Sequence, residues 1–266
     1  MQDDSVITRR QGATFVIAIN RPYAKNAVDT PTAKKLAKAF VEFEEDDALR
    51  VAVFHGANGT FCAGADLKKV SQEELDAHHL QAPLDPLDGS APMGPSYMRT
   101  SKPVIGAISG YAVAGGLELS LICDMRVVEE SAVFGVFCRR WGVPLIDGGT
   151  VRLPRIVGMG NAMDMILTGR PVDAHEAKIM GLANRVVADG TSLAVAMEIA
   201  EQLAQFPQRC MLSDRQSAYE QWNLSFDEAM ANENRLGHQV LNSGETVAGA
   251  TRFAEGKGRG GSFENI

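Results

Sequence analysis

The chain is poor in the residues that build metal centres and redox pairs. Its four cysteines, Cys62, Cys123, Cys138 and Cys210, are scattered and show neither C-x-x-C nor metal-ligand spacing. The five histidines are no better placed, and the adjacent His78-His79 pair lies in a polar stretch. Reduced thiols in a cytoplasmic protein, with no structural metal, are the expectation. A basic surface is also missing. Lys and Arg number 26 against 33 Asp and Glu, a formal charge of −7, which argues against a general nucleic-acid binder. An anionic small ligand stays open, because a local patch can oppose the overall sign. The start, Met1-Gln-Asp-Asp, lacks the basic and apolar regions of a signal peptide. The longest weakly charged run, Val104 to Cys123, contains Glu118 as its only charge, together with Gly106, Gly110, Gly115 and Gly116. A carboxylate is expensive in lipid, so this run reads as a buried strand, turn and helix rather than a membrane span.

What is present describes an ordinary globule. Apolar residues make up 45% and charged residues 22% of 266 positions, enough for one large domain or a domain with an appendage. Val6–Arg9 and Thr14–Asn20 flank Gln11-Gly12 as a hairpin. Thr30–Glu45 has helical spacing, with Thr30 as N-cap and Pro31 in the first turn. Arg50–His55, Val104–Ile108 and Met125–Val128 read as strands, and Gly115–Ile122 as a buried helix. This alternation argues for an α/β core. Ser71–Arg99 breaks any period with prolines, glycines and two histidines, and is expected to be a mobile segment beside the site. From Gly158 onward the pattern is almost wholly helical, with Ser192–Phe206 and Phe226–Leu241 as long amphipathic candidates. No internal repeat or low-complexity linker is visible.

Two segments carry chemistry: Phe61-Cys-Ala-Gly-Ala-Asp-Leu67 and Gly110-Tyr-Ala-Val-Ala-Gly-Gly-Leu-Glu-Leu-Ser-Leu-Ile-Cys-Asp124. Each follows a β-rich run and opens towards a helix, so each offers backbone N–H groups with no helical partner. Neither is a nucleotide loop, since the P-loop Lys-Ser/Thr and a full G-x-G-x-x-G are both missing. The second segment sets Glu118 among Leu117, Leu119, Leu121 and Ile122, where burial raises a carboxyl pKa towards the range useful for acid–base work. Two N–H sources and a desolvated carboxylate are the parts needed to hold an enolate and move a proton.

These segments resemble the signature of the crotonase superfamily, the enoyl-CoA hydratases and isomerases. The resemblance extends through Asn20-Arg-Pro-Tyr-Ala-Lys-Asn-Ala27, Ser101-Lys-Pro-Val-Ile105, Leu167-Thr-Gly-Arg-Pro171 and Met180-Gly-Leu-Ala-Asn184, in order along nearly the whole chain. It implies a spiral of strand–strand–helix repeats over residues 1–200. A C-terminal helical trimerisation region over 201–266 is implied with it, in a homotrimer or dimer of trimers. It places the two oxyanion donors at the backbone N–H groups of Ala65 and Gly115 and the first catalytic carboxylate at Glu118. Coenzyme A thioester is then a substrate rather than a permanently bound cofactor. It would be held by the backbone around Ala63, Asp66 and Leu67, by Lys68 near phosphate, and by Lys25 as a further cation. Lys257, Arg259 and Phe263 could close over the nucleotide.

One position departs from the hydratase pattern. A second glutamate there follows a Phe-Gly pair by three residues; here Phe134-Gly135 is followed at that distance by Cys138. A thiol, with a pKa near ~8.5, is a poor replacement for a carboxylate in activating water. Asp147, in Pro144-Leu-Ile-Asp-Gly-Gly-Thr150, can supply the second carboxylate, as an aspartate at or near this place does in several branches of the superfamily. It could equally be an N-cap or loop residue paired with Arg139, Arg140 or Arg152. Met93, Tyr97, Met98, Val113, Phe137 and Trp141 are candidate acyl-pocket residues and equally ordinary core residues. The expected reaction is hydration of a 2-enoyl-CoA. Enoyl-CoA or dienoyl-CoA isomerisation, and a catalytically weak acyl-CoA-binding protein, are the alternatives.

Overall fold

The computed structural model describes residues 5–70 and 91–263. The pair His78-His79 and most of the segment expected to be mobile lie outside them. The chain divides into two compact units, Met1–Glu201 and Gln202–Ile266.

The first unit is built on a six-stranded sheet in the order β1-β2-β3-β4-β6-β9. Its strands are β1 (Val6–Gln11), β2 (Thr14–Ile19), β3 (Val51–Gly56), β4 (Val104–Ile108), β6 (Met125–Glu129) and β9 (Arg185–Val187). Only the opening hairpin is antiparallel; β2, β3, β4, β6 and β9 pair in parallel. Every residue of β2 and β4 is buried. That is why these strands read as continuous apolar runs rather than alternating ones: a parallel sheet is covered on both faces. A three-stranded sheet pairs β5 (Tyr111–Val113), β7 (Val133–Gly135) and β8 (Val172–Asp173).

The two sheets arise from one repeated path. A strand of the large sheet is followed by a strand of the small sheet and then by a helix. β4 and β5 lead into α3 (Gly115–Ser120), and β6 and β7 lead into α4 (Gly149–Thr168). An earlier turn uses β3, then Cys62 bridged to Ala112 beside the small sheet, then α2 (Leu67–Val70). The unit is therefore a spiral of strand–strand–helix turns. Each passage from strand to helix falls at one of the two glycine-rich segments or at the Asp147 turn.

Helix α1 (Thr30–Glu45) packs Leu36, Phe40 and Phe43 on the large sheet. Phe43 stacks with Phe15, and Phe54 meets Phe40 and Phe61 edge-on. Its N-cap is Asp29 rather than Thr30: the Asp29 carboxylate accepts from the backbone N–H of Thr32 at 3.0 Å. Asp and Thr both cap well, and the carboxylate also reaches the buried Arg21 at 2.8 Å. The described end of the Ser71–Arg99 segment is packed, not loose. Pro95 and Ser96 are buried in a short 3-10 turn, and an added Cβ on Gly94 would lie 2.3 Å from the Ala33 carbonyl oxygen.

After α4 come α5 (Ala174–Ile179) and α6 (Ser192–Gln205), and the second unit holds α7 (Gln208–Glu220), α8 (Phe226–Asn242) and α9 (Glu245–Ala254). A reciprocal Ser225–Glu228 capping box starts α8.

Candidate active site

The two glycine-rich segments lie against each other. An added Cβ on Gly64 would sit 2.9 Å from Ala114 Cβ and 3.2 Å from Gly115 N, and one on Gly116 would sit 2.0 Å from the Cys62 carbonyl oxygen. Only glycine allows this approach. On the first segment, Val28 N–H donates to Gly64 O and Asp66 N–H donates to Val28 O, both at 2.8 Å. The intervening Ala65 N–H faces away from that ladder and donates to no described residue. On the second segment, Ala114 N–H donates to Gly135 O at 2.9 Å while Ala114 itself is held at φ 54°, ψ −126°. A non-glycine residue in such a conformation costs roughly 1–3 kcal/mol. The kink turns the chain out of β5 and leaves Gly115 N–H, at the first position of α3, also without an acceptor among the described residues.

Arg21 props up the first segment. Its guanidinium is buried and reaches Asp29 at 2.8 Å, Asp66 at 3.0 Å and the Ala27 carbonyl. Arg126 does the same for the second: it donates to Cys123 O at 2.7 Å and Ser120 O at 3.3 Å, satisfying carbonyls at the end of α3.

Helix α3 delivers Glu118 to a buried position, 2% exposed. Its Oε1 accepts from the backbone N–H groups of Asp147 at 2.9 Å and Gly149 at 2.8 Å. Gly149 has to be glycine, because a Cβ there would lie 2.9 Å from the same oxygen. Desolvation, then the neighbouring Asp147 charge, push the Glu118 carboxyl up to about 7, against the lowering effect of those two N–H donors.

Asp147 is 3% exposed, and its Oδ1 accepts from Met93 N–H at 2.9 Å and from the Ser96 hydroxyl. Gly148, not Asp147, is the N-cap of α4, and no side chain caps that helix. Asp147 is thus not a capping residue, and its carboxylate is held by the segment around Met93 and Ser96. Burial raises its pKa, while the Ser96 and Met93 hydrogen bonds and the Arg152 charge oppose the rise. Arg152 also donates to the Asp147 carbonyl at 3.2 Å. Among the described residues, Ser5 Oγ is the only buried side-chain oxygen with no hydrogen bond. Among the described residues, neither Glu118 Oε2 nor Asp147 Oδ2 accepts a hydrogen bond.

Cys138 is buried in the 3-10 turn Phe137–Trp141, and desolvation followed by the Glu118 charge pushes its thiol up. It is a neutral neighbour of the pair, with no activating base. Burial pushes Cys62 and Cys123 up to about 12, and all four cysteines are free. No three His, Cys, Asp or Glu side chains among the described residues are grouped to hold a metal.

The residues expected to bind coenzyme A are divided between the first segment with its neighbour Lys25 and the second unit. Lys25, in the left-handed conformation, places its ammonium 5.0 Å from the Tyr111 ring centre, and its carbonyl accepts from Ala63 N–H at 3.1 Å. Asp66 uses its N–H on Val28 and its carbonyl on Lys69, and its side chain on Arg21. Leu67 and Lys68 are exposed at the start of α2. Lys257, Arg259 and Phe263 belong to the second unit, where Phe263 packs against Phe206 with ring centres 5.9 Å apart. Among the acyl-pocket candidates Met93, Met98 and Val113 are buried, Tyr97 and Phe137 are half-buried and Trp141 is exposed. Tyr97 donates its hydroxyl to Ile146 O and feels both carboxylates. Met93 fills the space a side chain on Gly115 would take, its Sδ 2.8 Å from the Cβ position. Ser96 has no signal in the sequence pattern, and Arg21, although it lies within the Asn20–Ala27 motif, shows no role there, since the carboxylate of Asp66 that it holds is distant along the chain.

A chain with this fold has known relatives. The family described as enoyl-CoA hydratase/isomerase matches residues 9–260. The chain belongs to that family. It is 35% identical to the enoyl-CoA hydratase EchA19 of Mycobacterium tuberculosis, covering 98% of this chain and 97% of that one. A probable enoyl-CoA hydratase of Rhizobium meliloti is 33% identical, over 95% of this chain and 96% of its own. The crystal structure of an enoyl-CoA hydratase from Mycobacterium tuberculosis superimposes with a TM-score of 0.85 at 31% identity, covering 95% of this chain and 96% of that one. The spiral is therefore the crotonase fold.

Proposed function

We propose that the protein adds water across the double bond of a 2-enoyl-CoA, giving a 3-hydroxyacyl-CoA. The observation that carries this reading is the buried carboxylate pair, each member with one anchored oxygen and one that meets no donor among the described residues, set beside two backbone N–H groups without acceptors among those residues. Asp147, whose Oδ1 accepts from a hydroxyl and an N–H and whose charge raises its neighbour, serves as base. Glu118, pushed up to about 7, serves as acid. Asp147 Oδ2 takes a proton from water as the water oxygen bonds to the β-carbon. The electron pair of the double bond moves onto the thioester oxygen, where the N–H groups of Ala65 and Gly115 stabilise the enolate. Each such donor is typically worth about 10²–10³ in rate. Glu118 then gives its proton to the α-carbon, and exchange with solvent resets both carboxyls.

Lys25, Lys68 and the backbone of Ala63, Asp66 and Leu67 are assigned to coenzyme A. The exposed cation at Lys25 and the aromatic face of Tyr111 beside it suit a phosphate-bearing, adenine-containing ligand. The second unit is assigned to a homotrimer, or a dimer of trimers, in the cytoplasm. No described helix is long and apolar enough to cross a membrane.

Cys138 favours a second reading. With a neutral thiol facing Glu118, a single carboxylate that takes a proton at one carbon and returns it at another would isomerise a 3-enoyl or dienoyl thioester. Incubation with 2-enoyl- and 3-enoyl-CoA thioesters, followed by mass spectrometry, separates the cases. Gain of one water is expected. A positional isomer of unchanged mass would select isomerisation, and binding without turnover would leave a weak acyl-CoA-binding protein.

A further inference from the structure

The hydroxyl of Ser96 donates to the Asp147 carboxylate across 51 positions of sequence, and Ser96 is fully buried. Met93 N–H donates to the same oxygen, Oδ1, at 2.9 Å. Both donors therefore fall on one side of the carboxylate. Oδ2 is left without a partner among the described residues, and the carboxyl cannot swing without breaking both bonds. The donor itself is fixed. Gly94 takes φ 81° under the Ala33 carbonyl, Pro95 opens the turn, and Tyr97 ties the next residue to the Ile146 carbonyl, immediately before Asp147. A serine serving only to close this turn would bond to its own backbone; this one is directed at a carboxylate on another element.

We propose that Ser96 is a positioning residue that holds Asp147 ionised and with Oδ2 turned towards the substrate. The proposal rests on the reading of Asp147 as base, but the hydrogen bond and its effect on ionisation exist with or without turnover. Among the described residues, the groups facing Asp147 are Glu118 from α3, Arg152 from α4 and Tyr97 from the same turn as Ser96, with Cys138 beyond Glu118. Of these, Arg152 supports the anion and Glu118 opposes it when ionised. A hydrogen bond to the ionised carboxyl favours that form, so its loss moves ionisation to higher pH.

The test is the titration of Asp147 followed by carbon NMR of protein labelled at the aspartate carboxyl carbons, with the resonance assigned by its disappearance in Asp147→Asn. In Ser96→Ala the midpoint is expected to rise by about one pH unit, a tenfold change in the ionisation constant. Ser96→Cys, with a weak donor of similar size, is expected to fall between. The same two variants are then assayed on the enoyl-CoA turned over by the parent. The acidic limb of the kcat profile should move up with the NMR midpoint, with KM within about twofold. A merely structural serine would lower the melting temperature and leave both midpoints where they are. An unchanged Asp147 midpoint in folded Ser96→Ala or Ser96→Cys overturns the proposal. A shifted midpoint with an unshifted rate profile, or with no turnover in the parent, retains the hydrogen-bond assignment and rejects Asp147 as the base.

Discussion

At the scale of single residues, the site trades stability for proton affinity. Glu118 is carried into the core with two N–H donors, and its pKa rises from 4.5 to about 7. A carboxyl whose folded pKa is raised binds protons more tightly in the folded state than in the unfolded chain. The stability this gives is fully present below pH 4.5 and is lost as pH rises through about 7. Glu118→Gln keeps a carbonyl oxygen for the Asp147 and Gly149 N–H groups and cannot ionise. The variant is expected to melt higher than the parent at pH 8 and nearly level with it at pH 5. Its kcat is expected to fall by about 10²–10⁴, the usual contribution of a positioned acid or base. Thermal melts at the two pH values and a turnover assay check both halves. A variant that loses activity without gaining stability at pH 8 would mean that Glu118 is not strained by burial. Full activity would remove it from the chemistry.

At the scale of elements, the geometry of the proposed site is set where strands stop and helices begin, and glycines decide it. The Cβ missing from Gly116 would overlap the Cys62 carbonyl at 2.0 Å, so Gly116→Ala must push the two glycine-rich segments apart. The expected cost is about 3 kcal/mol, at the upper end of overpacking, together with a loss of kcat as the Ala65 and Gly115 N–H groups separate. Gly160 is the contrast: it lies inside α4 with open space where its Cβ would be. Gly160→Ala should gain up to about 1 kcal/mol through helix propensity and leave activity unchanged. Urea denaturation of both variants tests the pair.

The same elements show what the sequence could and could not reveal. The run Val104–Ile108 was legible because both faces of a parallel strand are buried and apolar residues accumulate without interruption, and Met125–Val128 was legible despite Arg126, whose charge is met by backbone carbonyls. Glu118 was legible because a charge among leucines needs a reason. The three-residue strands β5 and β7 were not, since so short a segment has no period to detect. The cap of α1 moved from Thr30 to Asp29 because Arg21 holds that carboxylate in place, and a long-range ion pair leaves no local pattern. The role of Asp147 stayed open between cap and site for a similar reason: its partners, Met93 and Ser96, lie more than fifty positions away in a stretch with no regular pattern.

At the scale of the whole molecule, the second unit is short of core. Within α7 and α9 no residue is buried, and α8 buries only Leu236 and Val240. Yet α8 and α9 are amphipathic, and Phe226, Met230, Leu241, Val247 and Phe253 stand at 49–78% exposure. Phe226, Met230 and Leu241 line one cavity of about 800 Å³ between α7 and α8. Fully burying one such side chain is worth about 1.5–3 kcal/mol, so leaving five in water forgoes a sum comparable with the net stability of a domain. A second copy of the same chain is the partner consistent with the proposed trimer. Sedimentation of the protein should give three or six times 28.6 kDa. Phe226→Asp, which places a charge at an exposed position on this face, should shift the distribution towards monomer. If the helices only await a partner, the helical content should survive in the dissociated form. If the parent sediments at the mass of one chain, the exposed face has another use and the assignment of the second unit to self-assembly fails.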